Sequence, residues 1–161
     1  MANDLRDKML GTDANTTSNV DDCNHVVNQT KVFSFTGTGP TAGAGGGVGE
    51  VAVDIPLFVA DTDITLLSAY ILPGGAETAT ANHPDLAIAQ GDIAATAVTV
   101  YDTFDGTATS FVAMTAINFT IVPSTDVVAK GEVLYLHVTT NGTPISYVDP
   151  FAIVVKYQLD N

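Results

Sequence analysis

Apolar and polar residues alternate over most of this chain, the period-2 signature of half-buried strands. The pattern is densest at Ile64–Pro73. In an extended chain alternate side chains point to opposite faces. Ile64, Leu66, Ser68, Tyr70 and Leu72 therefore share one face, and Thr65, Leu67, Ala69 and Ile71 the other. Both faces are mostly apolar, which predicts a central strand covered on both sides. A buried helix is the rival reading. The Pro73-Gly74-Gly75 stop and the strand-like runs on either side favour the strand.

The remaining elements follow from the same periodicity. Lys31–Thr36 reads as a short strand, and Gly37–Gly49 as a loop holding seven glycines. Glu50–Ala60 puts Val51, Val53, Ile55, Leu57 and Val59 on one face. Pro56 marks that run as an edge strand or a bulge, because proline cannot donate to a ladder. Asp61-Thr62-Asp63 is a turn, and Gly74–Gln90 a loop with a short strand or helical turn near Leu86–Ala89. Thr96–Phe104 is a strand closed by the turn Asp105-Gly106. Ser110–Val122 is another, with Phe111, Ala113, Ile117, Phe119 and Ile121 on one face. Glu132–Thr140 sets Leu134, Leu136 and Val138 against Tyr135 and His137, and Asn141-Gly142 signals a turn. Phe151–Leu159 turns Phe151, Ile153, Val155, Tyr157 and Leu159 inward, with Lys156 and Gln158 outward. Seven or eight strands without a long amphipathic helix predict an all-β fold, an antiparallel β-sandwich. The long loop crossings favour a jelly roll over an up-and-down barrel. The predicted core includes Val53, Ile55, Leu66, Tyr70, Val100, Phe119, Leu134, Leu136, Ile153 and Val155.

Residues 1–30 break the pattern and are expected to form an N-terminal arm on a sandwich domain spanning 31–161. Asn3–Leu10 suits one or two helical turns, capped by Asn3 and stopped by Gly11. Thr12–Asn24 is polar and too poor in large apolar residues to offset its own ordering by burial. The arm carries isolated apolar residues, Leu5, Met9, Leu10, Val20, Val26 and Val27, which suit shallow grooves on a partner. A flexible tail is the alternative.

Charge narrows the classes of partner. The 161 residues carry 5 Lys+Arg against 18 Asp+Glu, a net charge of −13. That argues against nucleic acid, which needs clustered cations to neutralise phosphates, and equally against anionic membrane surfaces. Only 14% of residues are charged and mean hydropathy is +0.27, so the surface is clothed largely by Thr, Ser, Asn, Gly and Ala. Cys23 is the single cysteine, which rules out an intrachain disulfide. Met1–Leu10 has no apolar run of the secretory type, and no apolar run reaches the roughly 18 residues of a membrane span. Synthesis in a cytoplasm is the expectation. The Asn-x-Ser/Thr triplets at Asn15, Asn28, Asn118 and Asn141 are then chance products of a Thr-rich chain.

Candidate chemistry is sparse. The glycine loop lacks a Gly-Lys-Ser/Thr ending and an intact G-x-G-x-x-G, and leads into no helix, so it reads as a sandwich loop. Asp21-Asp22-Cys23-Asn24-His25 gathers metal-capable groups, but neighbours in a loop rarely converge on one ion. Asp61 and Asp63, and Asp102 with Asp105, could offer oxygens to Ca²⁺, yet match no EF-hand loop. Aspartates that bond their own turn backbone are the simpler account. His25, His83 and His137 sit in three different contexts, and no Gly-x-Ser-x-Gly is present. His137, beside Tyr135 on a strand face, reads as a partly buried structural residue. The expectation is a protein with no catalytic residues, no cofactor and no required metal, with Ca²⁺ at the aspartate turns as the alternative.

One set of motifs resembles a known family. Ser68-Ala69-Tyr70-Ile71-Leu72-Pro73 is followed by a Gly/Ala/Thr loop and a strand ending Val100-Tyr101. Then come Val128-Ala129-Lys130-Gly131-Glu132-Val133-Leu134, Asn141-Gly142-Thr143 and Val154-Val155-Lys156-Tyr157. The pattern is similar to small jelly-roll structural proteins of tailed-bacteriophage virions, of the head decoration (cement) and head-fibre types. The resemblance covers about two-thirds of the chain, and its motifs are turns and core positions. It implies a virion component on the capsid surface, a homotrimer that binds the major capsid protein and stabilises the head shell. A receptor- or carbohydrate-binding sandwich of the fibre or adhesin type is the rival, weakened by the absence of Trp and an aromatic content of 7%.

Overall fold

In the computed structural model, the residues described are 28–35, 51–94, 98–122, 126–140 and 147–159. They form nine strands: β1 (Asn28–Phe35), β2 (Val51–Val59), β3 (Ile64–Pro73), β4 (Asp85–Gly91), β5 (Val98–Phe104), β6 (Ile117–Phe119), β7 (Val127–Val128), β8 (Val133–Thr140) and β9 (Phe151–Leu159). Every pairing is antiparallel. One sheet runs β1-β9-β3-β6, with β7 also on β3, and the other runs β2-β8-β4-β5. The chain is an all-β antiparallel sandwich.

The strand order interleaves the two halves of the chain. Of the connections, only β4–β5 and β6–β7 stay within one sheet, and every other one crosses the sandwich. Ile64, Leu66, Ala69, Ile71, Ile153 and Val155 of the first sheet meet Leu86, Ile88, Leu134, Leu136 and Val138 of the second, all at most 2% exposed. β3 has the bounds expected of it and lies inside its sheet, between β9 and the pair β6 and β7. β8 and β9 also follow their expected alternation, with Val154 buried in addition on the outer face of β9. Pro56 lies on an edge strand and beside a bulge, between Pro56 and Phe58.

Bulges explain where the side-chain alternation departs from expectation. In β3 the register shifts between Leu66 and Ser68. The core face is therefore Ile64, Leu66, Ala69 and Ile71, while Tyr70 is half-buried on the outer face and Leu67 is exposed. In β2 the bulge turns Phe58 toward the core and leaves Val59 exposed. Opposite Ile88 and Ala89 of β4, β5 bulges at Tyr101, which faces the core while Val100 points outward. Tyr70 and Val100 thus leave the expected core, and Val53 and Ile55 are only half-buried.

Three element bounds also differ. β1 begins at Asn28, so Asn28–Thr30, assigned to the arm by sequence, pair with Gln158–Lys156. Asp85–Gly91 is a full strand buried between β8 and β5. Ser110–Val122 holds only the three-residue β6, and Ala113 is exposed. Before β6 the chain loops out through Met114, at φ 56° and exposed, held by a Phe111–Glu77 bridge and by Met114 N–H donating to the Pro73 carbonyl at 2.9 Å.

Candidate functional site: a braced cluster where the long connections meet

The β3–β4, β5–β6 and β8–β9 connections gather at one end of the sandwich, where a chain of rings and one carboxylate joins them. Tyr147 stacks on Phe111 at 4.6 Å between centroids and on His83 at 4.8 Å. Phe104 and Phe151 pack on Phe111 at 5.4 and 5.7 Å. These five side chains are buried. Such ring pairs add stability beyond their area, about 0.5–1.5 kcal/mol each. The Tyr147 hydroxyl donates to the Pro84 carbonyl at 2.7 Å, so its one polar atom is satisfied.

Glu77 sits at the centre. Its Oε1 lies 3.0 Å from His83 Nε2. Its carboxylate also accepts from the backbone N–H of Val148, at 3.0 Å on Oε2, and of Asp149, at 3.4 Å. The Glu77 backbone pairs with Phe111 in both directions, at 2.8 and 3.2 Å. One residue of the β3–β4 connection thus holds the other two. Asp85 Oδ1 accepts from Gly106 N–H at 2.9 Å. Gly106 is required there: a Cβ would come within 2.2 Å of both the Pro84 carbonyl oxygen and the Tyr147 hydroxyl. Burial, then the charges of Asp85, Glu77 and Asp105, push the Tyr147 hydroxyl far above its ordinary pKa.

A carboxylate beside an imidazole is the material of acid–base catalysis. Here His83 is 4% exposed and the Glu77 side chain 12%, and the pair braces the connections it joins. A second pair lies on the outer face of the β2-β8-β4-β5 sheet, where register sets Asp54 opposite His137. His137 Nδ1 is 2.5 Å from Asp54 Oδ1, with both side chains about one-fifth exposed. Ala87 lies across from His137 on the β4 side, and Tyr135 and Thr139 flank it along β8.

Of the turn aspartates, Asp105 bonds its own turn as the sequence suggests, whereas Asp102 also reaches Thr120 and Asp63 bonds the backbone of another turn. Asp105 Oδ1 accepts from Thr107 N–H at 2.9 Å, Thr107 Oγ1 at 2.7 Å and Ala108 N–H at 3.0 Å. The Thr107 hydroxyl and these amides hold its carboxyl below the usual range. Asp102 accepts from Thr103 N–H at 2.9 Å and reaches Thr120 N–H at 2.6 Å. Asp63 accepts from Lys130 N–H at 2.7 Å. Among the described residues no three His, Cys, Asp or Glu side chains are grouped to hold a metal ion.

The arm residues Leu5, Met9, Leu10, Val20, Val26 and Val27 lie outside the described residues, as do Asp21–His25, the glycine loop and the Asn141-Gly142 turn. Both histidine–carboxylate pairs were missed from sequence. Asp54 and His137 stand 83 positions apart and meet only through strand register. Glu77 and His83 lie close in sequence, but the tyrosine that covers them comes more than sixty residues later. Scans against family models, curated proteins and solved structures find nothing that matches this chain.

Proposed function

We propose that the chain is a structural protein of a tailed-bacteriophage virion, a head decoration or cement protein that binds the major capsid protein and stabilises the shell. The observation that carries this reading is the strand order, β1-β9-β3-β6 against β2-β8-β4-β5. It supports a jelly roll, an architecture frequent among viral capsid domains. The braced end fits a structural role, because its histidine–carboxylate pair is used to tie loops together. The rings gathered there favour decoration over glycan binding: Phe104, Phe111, Tyr147 and Phe151 are spent on one another and buried, where a sugar platform needs an outward-facing ring. On this reading the protein is not an enzyme, is made in the host cytoplasm and ends on the capsid surface. Residues ahead of β1 form the arm that reaches the shell or a neighbouring copy. A homotrimer is the assembly implied by the family resemblance.

The test is sedimentation with shells assembled from the cognate major capsid protein. Binding at micromolar concentration, with a rise in shell melting temperature, is expected. No binding, or glycan binding in its place, overturns the proposal. A chain starting at Asn28 tests the arm while leaving β1 whole. Once circular dichroism shows that it folds, it is expected to bind shells at least tenfold more weakly.

A further inference from the structure

We infer that the outer edge of β1 pairs with β1 of a second copy, antiparallel about a two-fold axis. The edge strands of the sandwich are not alike. β2 carries Pro56 and a bulge. β5 carries a bulge at Tyr101 and is tied to the chain after β6 through Asp102 and Thr120. β6 and β7, which share the edge of β3, are three and two residues long. These are the means by which proteins blunt sheet edges. β1 has none of them. It is eight residues long, pairs with β9 without a register shift, holds no proline, and among the described residues pairs only on its β9 side. In an antiparallel strand about half the backbone N–H and C=O groups point to each side, so β1 presents a row of them along its outer edge.

Charge selects the occupant. The chain carries −13, yet β1 and β9 contain no carboxylate; their charges are Lys31 and Lys156. Asp61 is close enough to Tyr157 to raise the pKa of its hydroxyl, second to burial, and it lies at the end where β1 begins. Two copies approach with least repulsion through this edge, and the rest of an acidic partner is drawn to its lysines. An inward-pointing lysine on an edge strand ordinarily opposes strand addition. Lys31 does not stand in the way, because its ammonium leans back over Phe58, 3.9 Å from the ring centre, and is 5.8 Å from that of Tyr157 on β9.

The pattern also favours one register. Residues directly opposite in a sheet share a face, so a two-fold axis must pass through one residue of β1. At Lys31 it would set two ammonium groups opposite each other. At Val32 it sets valine against valine and Thr30 against Ser34 on the outer face, pairings that stabilise sheets. Val32 is 60% exposed without a partner. A two-fold contact closes on itself and builds no fibre. It uses a different surface from a three-fold contact, so trimers joined through β1 would contain six copies.

Sedimentation of the full chain reads the outcome. An even multiple of the 16.6 kDa chain mass is expected, halved by Val32→Lys and by Val32→Glu alone, and restored when the two variants are mixed. In a Cys23→Ser background, Val32→Cys should cross-link two copies on oxidation. Ser34→Cys should not, because the register leaves its two copies about 13 Å apart along the strands. A monomer or trimer untouched by either Val32 charge variant overturns the inference. Failure of the mixture to restore the mass, or cross-linking through Ser34→Cys and not Val32→Cys, overturns the register. Neither result depends on shell binding, so the proposed function stands or falls separately.

Discussion

The two ends of the sandwich are closed by different means. At the end holding Glu77 and Tyr147, backbone bonds such as Gly74 N–H to Pro150 and the Glu77–Phe111 pair are reinforced by side chains, five buried rings and one carboxylate. At the other end, backbone bonds do most of the work. Ala60 and Glu132 are joined at 2.8 Å, Gly131 N–H donates to Ala60 at 2.8 Å, and Leu66 N–H donates to Asp126 at 2.8 Å. Gly131 is at φ 88°, a conformation glycine adopts without penalty. Length accounts for the contrast. The connection from Ala60 to Asp63 is short enough to continue the ladder geometry, whereas the one from Gly74 to Pro84 strays from it and needs side chains to satisfy and cover its backbone. Substitutions should therefore cost most where side chains close the end, and least where backbone does.

Alkaline pH should break both ends at once, and it is the largest effect expected. Tyr147 at the braced end and Tyr101 nearer the other are both held neutral well above the ordinary tyrosine pKa, mainly by burial. Glu132 and Asp126 add to this at Tyr101. The folded chain therefore binds more protons than the unfolded one above pH 10. The stability these groups contribute is complete below the unfolded tyrosine pKa of about 10 and is lost as pH rises beyond it. Phenolate absorbance should appear together with loss of the β circular-dichroism signal. Ionisation of Tyr147 and Tyr101 while the fold persists would contradict this. Tyr147→Phe should move the alkaline transition upward and leave the share due to Tyr101.

Among substitutions, Tyr147→Ala should cost most, about 3–5 kcal/mol, because it removes the ring against which His83, Phe111 and Phe151 pack. Urea unfolding measures it. A cost under about 1 kcal/mol would mean that the end is held by something other than its rings.

How much of this was legible in the sequence depends on which interactions carry each element. β3, β8 and β9 announce themselves through branched and aromatic residues at period 2. β1 starts three residues earlier than its apolar pattern because Asn28–Thr30 join the ladder through backbone, which asks nothing of the side chains. β4 was read mainly as loop because its alanines and glycine have weak strand preference; they fit because β8 and β5 enclose them. Bulges leave no reliable mark unless a proline announces one, so Pro56 is informative while the bulges in β3 and β5 leave no trace and misplace Tyr70 and Val100. Glu77, His83 and Tyr147 come together only once the β3–β4 and β8–β9 connections fold onto one end, which no local spacing records.

Glu77→Ala should follow Tyr147→Ala in size, at about 2–3 kcal/mol, because it strips the acceptor from His83 Nε2 and from the Val148 and Asp149 amides in a partly buried place. Glu77→Gln keeps one carbonyl oxygen and should recover roughly half of that loss. If both variants match wild type in urea, the carboxylate is not the brace.

Asp63→Ala probes the other end and should cost least, about 0.5–1 kcal/mol. Asp63 accepts from Lys130 N–H at 2.7 Å, which ties the β2–β3 turn to the turn before β8. Two features limit the damage. Asp63 is exposed, so water can replace its oxygen on the Lys130 amide. The same two turns also remain joined by the Gly131–Ala60 and Ala60–Glu132 backbone bonds, which the substitution does not touch. Removing a carboxylate from a −13 chain relieves some repulsion as well, and raising salt should shrink that part of the effect. Measured beside Glu77→Ala under identical conditions, Asp63→Ala should shift the urea midpoint by less than half as much. An equal shift would show that this end too depends on a side chain.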